Sequence, residues 1–185
     1  MTEKTSKILL VEPEAELVEI LVASLSRRFD AHITCVSDAE SCLDAAMLDS
    51  HHVVVSELDL GNDGGLQLAE KLTLLGTGPI ILLGDDPTVA EAITALRLGV
   101  RDLLIKPFAV AELLDAVERS LRSYNTRQAR LAKYHRMRKV FRQVLRERKE
   151  LNRRVELVCQ DLVGAHRRLV DRVLAGGGAR SAGHA

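Results

Sequence analysis

Five short apolar runs, each followed by a stretch with helical spacing, organise roughly the first 120 residues of the chain. The runs are Ile8-Leu9-Leu10-Val11, Ile33-Thr34-Cys35-Val36, Val53-Val54-Val55, Pro79-Ile80-Ile81-Leu82-Leu83 and Leu103-Leu104-Ile105. The first is a short continuous apolar run, as expected of a strand buried on both faces, and the third sets three β-branched residues in a row. Between them, Ala15, Leu17, Val18, Leu21, Val22 and Leu25 recur at helical spacing, as do Leu66, Leu68, Ala69, Leu72 and Leu75. Leu43, Ala46 and Met47 are expected to line the core face of a further helix, for which Ser37 or Asp38 is the expected N-cap. Asp86-Pro87 is expected to cap and start another helix through Leu98, closed by Gly99, and a last one begins at Val110. Strand and helix in strict alternation predict an α/β fold, a doubly wound five-stranded parallel sheet. In such sheets ligands lie outside the carboxyl ends of the strands, which singles out Glu12, Glu57, Gly84 and Lys106.

The formal net charge of zero hides a sharp asymmetry. Residues 1–118 carry 8 Lys+Arg against 21 Asp+Glu, a net of −13; residues 119–172 carry 17 against 5, a net of +12. A switch this abrupt marks a boundary. The expected organisation is a short disordered start (1–6), an acidic domain (7–121), a basic helical region (122–174) and a disordered tail (175–185) opening on Gly176-Gly177-Gly178. No apolar stretch approaches the roughly 20 residues of a membrane span, and the run after Lys7 is too short for a signal peptide. Cys35, Cys42 and Cys159 are odd in number and widely spread, which implies neither a disulfide framework nor a zinc site. A cytoplasmic protein without membrane contact is the expectation.

Three segments carry a family resemblance: Ile8-Leu9-Leu10-Val11-Glu12-Pro13-Glu14, then Val53 through Leu66, then Leu103-Leu104-Ile105-Lys106-Pro107-Phe108. In order and spacing they resemble the receiver domain of two-component response regulators, from about Lys7 to Leu121. The resemblance implies a flavodoxin-like fold and a role in phosphorelay signal transduction, with a kinase or another regulator as partner. It also assigns positions. Family members hold magnesium with consecutive carboxylates after the first strand, where this chain has Glu12-Pro13. Their phosphorylated aspartate closes the third strand, where this chain has Glu57; a one-residue shift would put Ser56 there. The family's Ser/Thr after the fourth strand is here Gly84, and its aromatic switch in the fifth is Leu103. Only Lys106 is intact.

These substitutions have chemical weight. Phosphoryl transfer to a carboxylate is largely positioning plus charge neutralisation, and magnesium demands near-octahedral oxygen ligation. Pro13 offers no side-chain oxygen, Glu57 carries its carboxylate one methylene further out, and Gly84 has no hydroxyl. The expectation is a degenerate receiver, a pseudo-receiver without aspartyl phosphorylation. No cofactor is expected, weak magnesium binding in the acidic pocket of Glu12, Glu14 and Lys106 being the one conceivable exception. Glu57 is long enough to reach Lys106, either as a plain ion pair or as a mimic of the phosphorylated state. No nucleophile–base constellation can be assembled, so an enzyme is not expected. Gly61-Asn62-Asp63-Gly64-Gly65 lacks the Lys-Ser/Thr ending of a phosphate loop and reads as a turn. His51-His52 read as solvated edge residues; Asp85-Asp86 and Glu14 could help bind a cation, although Asp86 before Pro87 is adequately explained as a helix cap.

The basic region has a heptad seam. Tyr134, Met137, Phe141, Val144, Arg148, Leu151, Val155, Val158, Leu162, Ala165 and Leu169 follow one another at alternating spacings of three and four, all but Arg148 being apolar or aromatic. This predicts a coiled coil, most simply a parallel homodimer. Val140, Leu145, Leu157, Val163, Val170 and Val173 widen the seam, which leaves open a hairpin folding near 150–154 or a four-helix bundle. The basic stretch 119–149 also admits nucleic-acid contact. Because the seam starts inside it, at Tyr134, the basic helices would not fork as in zipper-type binders.

Overall fold

The computed structural model describes residues 5–61 and 64–177, with side chains described to Leu174. Five parallel strands pair in the order β2-β1-β3-β4-β5: β1 Ser6–Val11, β2 Ala31–Val36, β3 Val53–Glu57, β4 Ile80–Gly84 and β5 Asp102–Ile105. The intervening helices are α1 Ala15–Arg28, α2 Ala39–Leu48, α3 Gly65–Leu75, α4 Val89–Leu98 and α5 Val110–Gly177. Ser6 already lies in β1, so order begins earlier than the sequence suggests. Of the expected tail, residues 175–177 continue α5, and the remainder lies outside the described residues.

Strand periodicity sorts the core into two layers. Ile8, Leu10, Val53, Val55, Ile81 and Leu83 face α1 and α5, where they meet Leu21, Leu25, Leu113, Ala116, Val117 and Leu121. Leu9, Val11, Val54, Ile80 and Leu82 face α2, α3 and α4, with Cys42, Leu68, Leu72 and Ala95 packed against them. The central strands β1, β3 and β4 are thus covered on both sides, whereas the edge strands β2 and β5 are only partly buried.

Local chemistry fixes the ends of these helices. The Asp38 carboxylate accepts the Ser41 amide at 2.8 Å and starts α2. α4 does not begin at Asp86-Pro87. Thr88 is its N-cap, and Glu91 answers in a capping box: the Thr88 hydroxyl accepts the Glu91 amide at 3.2 Å, and the Glu91 carboxylate accepts the Thr88 amide at 2.8 Å. At its other end Gly99, at φ 82°, closes the helix with Val100 N–H donating to Ala95.

His51 and His52 are not solvated; both are buried where β3 enters the sheet. The Lys7 amide donates to His52 Nδ1 at 3.2 Å, and the His52 ring stacks on Tyr124 of α5, centroids 4.8 Å apart. Burial lowers the His51 pKa.

Cys42 sits in the α2–α4 layer, where burial and the nearby Asp38 charge push its thiol up to about 12. Thiolate is the reactive form. Iodoacetamide at pH 8 is therefore expected to alkylate the exposed Cys35 and Cys159 in the native protein, and Cys42 only in denaturant, counted by intact mass.

By chain contacts the molecule divides into a unit ending at Arg130 and a second from Leu131. Within the second, α5 is one helix with no interruption at residues 150–154, so the hairpin is not what this segment adopts.

Candidate functional site

The carboxyl ends of β1, β3, β4 and β5 converge on one mouth, and register decides which side chains meet there. Val11 is level with Ser56, Glu57 with Leu83, and Gly84 with Ile105. Glu12, Glu57 and Lys106, each at or just past a strand end, come together. The Ser56 hydroxyl is fully buried and donates to the Glu57 carbonyl at 2.9 Å, so it is Glu57 that reaches the mouth.

The Lys106 ammonium lies between two carboxylates. It forms a close hydrogen-bonded ion pair with Glu57 Oε2, and Glu12 Oε2 stands 3.5 Å away. Glu57 Oε1 turns back to accept the Leu58 amide at 2.9 Å and the Asp59 amide at 3.3 Å. Glu12 Oε1 accepts the Glu14 amide at 3.0 Å, while its buried Oε2 makes no hydrogen bond of normal length. Its interaction with Lys106 is therefore chiefly coulombic. These side chains are nearly out of water, at 3% exposure for Glu12, 6% for Glu57 and 18% for Lys106.

The electrostatics follow from that burial. Desolvation raises the Glu12 pKa above the ordinary carboxylate value, and this outweighs the Glu14 amide and the Lys106 charge, which lower it. For Lys106 desolvation works downward, but the Glu57 hydrogen bond and charge, helped by Glu12 and Asp85, exceed it and the pKa is raised. The ammonium stays charged at neutral pH.

The remaining expected residues lie around this pair in lesser parts. Glu14 is exposed and contributes its backbone amide. Leu103 is half-buried and packs with the α2–α4 layer. At Gly84, a β-carbon would come within 2.9 Å of Leu58 Cδ2 and 3.2 Å of Leu58 Cβ, so Leu58 crowds the position where a hydroxyl-bearing side chain would stand. Sequence reasoning passed over Leu58, although its place directly after Glu57 marks it as a neighbour. Gly65 is required where α3 starts, because a β-carbon there would meet the Glu57 carbonyl oxygen at 2.4 Å. The Lys106–Pro107 bond is cis.

This donor set does not fit magnesium. Among the described residues, no three His, Cys, Asp or Glu side chains converge on one point, and both carboxylates at the mouth already face an ammonium. Among the described residues, no helix is long and apolar enough to cross a membrane.

Comparison with known proteins agrees with the fold. Residues 8–118 match the model of the response regulator receiver domain. The chain is 31% identical over 123 residues to the regulatory protein VanR of Enterococcus faecium, covering 65% of this chain and 52% of that protein. It is 30% identical over 119 residues to the transcriptional regulatory protein HprR of Escherichia coli K12, covering 64% and 53%. The chain thus spans about half the length of these relatives. Among solved structures, a signal receiver domain of an HD domain-containing protein from Pseudomonas fluorescens Pf-5 superposes with a TM-score of 0.62 at 25% identity, over 66% of this chain and 99% of that one. A CheY-like receiver from Methanospirillum hungatei JF-1 gives 0.63 at 17% identity, over 67% and 99%, and speaks to the fold alone.

Proposed function

The chain belongs to the response regulator receiver domain family, and from that premise we propose that it is a pseudo-receiver: a non-catalytic signalling protein that acts through protein contacts rather than aspartyl phosphorylation. The single observation that carries this reading is the buried Glu57–Lys106 pair. The cation that would otherwise receive an incoming phosphoryl oxygen is already neutralised by a carboxylate of the chain itself. Glu12 at the second side of the ammonium, Pro13 in the place of a carboxylate, and Leu58 against Gly84 support the same conclusion. In this reading no magnesium resides at the mouth. The pair acts as a fixed ionic tie, one charge-assisted hydrogen bond held in a low-dielectric setting. Its partners are a kinase or a further regulator in the same two-component pathway, and its localisation is cytoplasmic.

Dimerisation through α5 is the second part of the proposal. Seam residues Tyr134, Met137, Phe141, Val144, Leu151, Val155, Val158, Leu162 and Leu169 are each more than half exposed on the single chain. A second helix covering them would remove that apolar surface from water. Nucleic-acid contact through the exposed basic residues of 119–149 is the alternative, and it would show as retardation of mixed-sequence duplex at physiological salt.

Incubating the protein with a small-molecule phosphodonor and magnesium, then weighing it intact, tests the central claim. No mass gain is expected. A stable phosphoryl adduct on Glu57 or Ser56 would overturn it.

A further inference from the structure

A parallel pair is the simplest expectation from the heptads alone, but charge and side-chain size along α5 argue against it. We propose that the seam accepts a second copy of the chain running antiparallel. This rests on the dimer reading above and goes further by assigning which residues face each other.

Written as heptads, the seam has Tyr134, Phe141, Arg148, Val155, Leu162 and Leu169 at one core position, a, and Met137, Val144, Leu151, Val158 and Ala165 at the other, d. A parallel in-register pair sets each residue against its own copy. Arg148 would then face Arg148, Tyr134 would crowd Tyr134, and Ala165 would leave a gap beside Ala165. An antiparallel pair sets a against d instead. In the register centred between Lys149 and Glu150, Tyr134 meets Ala165 of the second copy, Phe141 meets Val158, and Arg148 meets Leu151. Large faces small, and the two guanidinium groups separate. That same centre is the midpoint of residues 125–174, so the described seam and its flanks overlap without overhang.

Charge points the same way. Residues 125–149 carry ten basic side chains and one acidic, a net of +9, whereas 150–174 carry five basic and four acidic, a net of +1. Parallel pairing lays the +9 half along itself. Antiparallel pairing lays it along the nearly neutral half, twice. The helices of a coiled coil lie about 10 Å apart, comparable with the Debye length at physiological salt, so this repulsion is felt. At the flanks, each direction brings Lys133 to a like charge of the second copy, Arg138 in the parallel pair and Arg168 in the antiparallel one, but only the antiparallel pair also brings Glu147 toward Arg154. The parallel arrangement has two compensations, Val140 beside Leu145 and Asp161 beside His166 of the second copy, and the first lies within the half where like charge is densest.

The test is double electron–electron resonance on the full-length chain with Cys35 and Cys159 replaced by serine and a single spin label at Lys139→Cys, Arg153→Cys or Gln160→Cys. All three lie on the outer face of the seam. Antiparallel helices give axial offsets between the two labels of about 32, 10 and 32 Å respectively, from the helical rise of 1.5 Å per residue. The expected result is therefore equal long distances at 139 and 160 and a shorter one at 153. Equal distances at all three positions in a protein that sediments as a dimer would overturn the direction and leave the dimer standing. Sedimentation as a monomer would overturn both.

Discussion

Lys106→Met is expected to destabilise the receiver by about 3 kcal/mol at pH 7, the lower end of what breaking a buried ion pair costs. The loss arises less from the missing attraction than from what is left behind. Glu12 and Glu57, at 3% and 6% exposure, would face each other with no cation between them. Against a typical domain stability of 5–15 kcal/mol, that is a large fraction, and a drop in Tm of about 10 °C follows for a domain of this size. The pH dependence has a definite sign. A carboxyl whose folded pKa is raised penalises the native state above that pKa, and the penalty vanishes as the pH falls through it. Glu12 is already raised in the intact protein, and removing the ammonium raises it further. The deficit of the variant should therefore narrow as the pH is lowered from 7 toward the carboxylate range near ~4.3. In the parent, Lys106 is raised, so its contribution holds through neutral pH and fades only as alkaline pH passes its folded value. Equal Tm values for parent and variant at pH 7 would show that the tie contributes nothing to stability.

The second large effect concerns α5. Val155→Asp combined with Leu162→Asp places two carboxylates within the seam, where both residues are now exposed aliphatics on the single chain. If the seam is buried in a dimer, each substitution forfeits about 1.5–3 kcal/mol of burial per chain, before any cost of stranding a charge. Four such losses per dimer come to about 6–12 kcal/mol, or at least four powers of ten in dissociation constant at ~1.4 kcal/mol per decade. Sedimentation should find a monomer at any practical concentration. Helicity at 222 nm should fall with it, since a long helix without a packing partner is marginal in water. The thermal transition of the receiver unit should stay in place. A double variant that remains dimeric would move the interface elsewhere on the molecule.

Much of this was legible in the residues alone, for a physical reason. A parallel sheet covered on both faces needs continuous apolar strands, and five such runs separated by helical stretches leave few other solutions. The same logic fixed Glu57 at the end of β3, because Val53-Val54-Val55-Ser56 fills the strand before it. What could not be read was anything that depends on a distant segment coming back. His51 and His52 are polar and adjacent in sequence, and both are buried, with Tyr124 returning from far along the chain to stack on His52. The share that Glu12 takes in the Lys106 ammonium, and the crowding of Gly84 by Leu58, depend likewise on register between strands far apart in the chain. The start of α4 is a different kind of miss. Thr88-Val89-Ala90-Glu91 spells a capping box, and it was outweighed by the more conspicuous Asp86-Pro87.

The two ends of α4 bear on how such a protein communicates. A helix locked at its first turn by reciprocal side-chain bonds and at its last by a left-handed glycine has little freedom to slide or unwind locally. Its outward residues Val89 and Leu96 are three-quarters exposed. On the pseudo-receiver reading proposed above, they form a standing display, and information resides in whether a reader is present rather than in whether the surface has been rearranged.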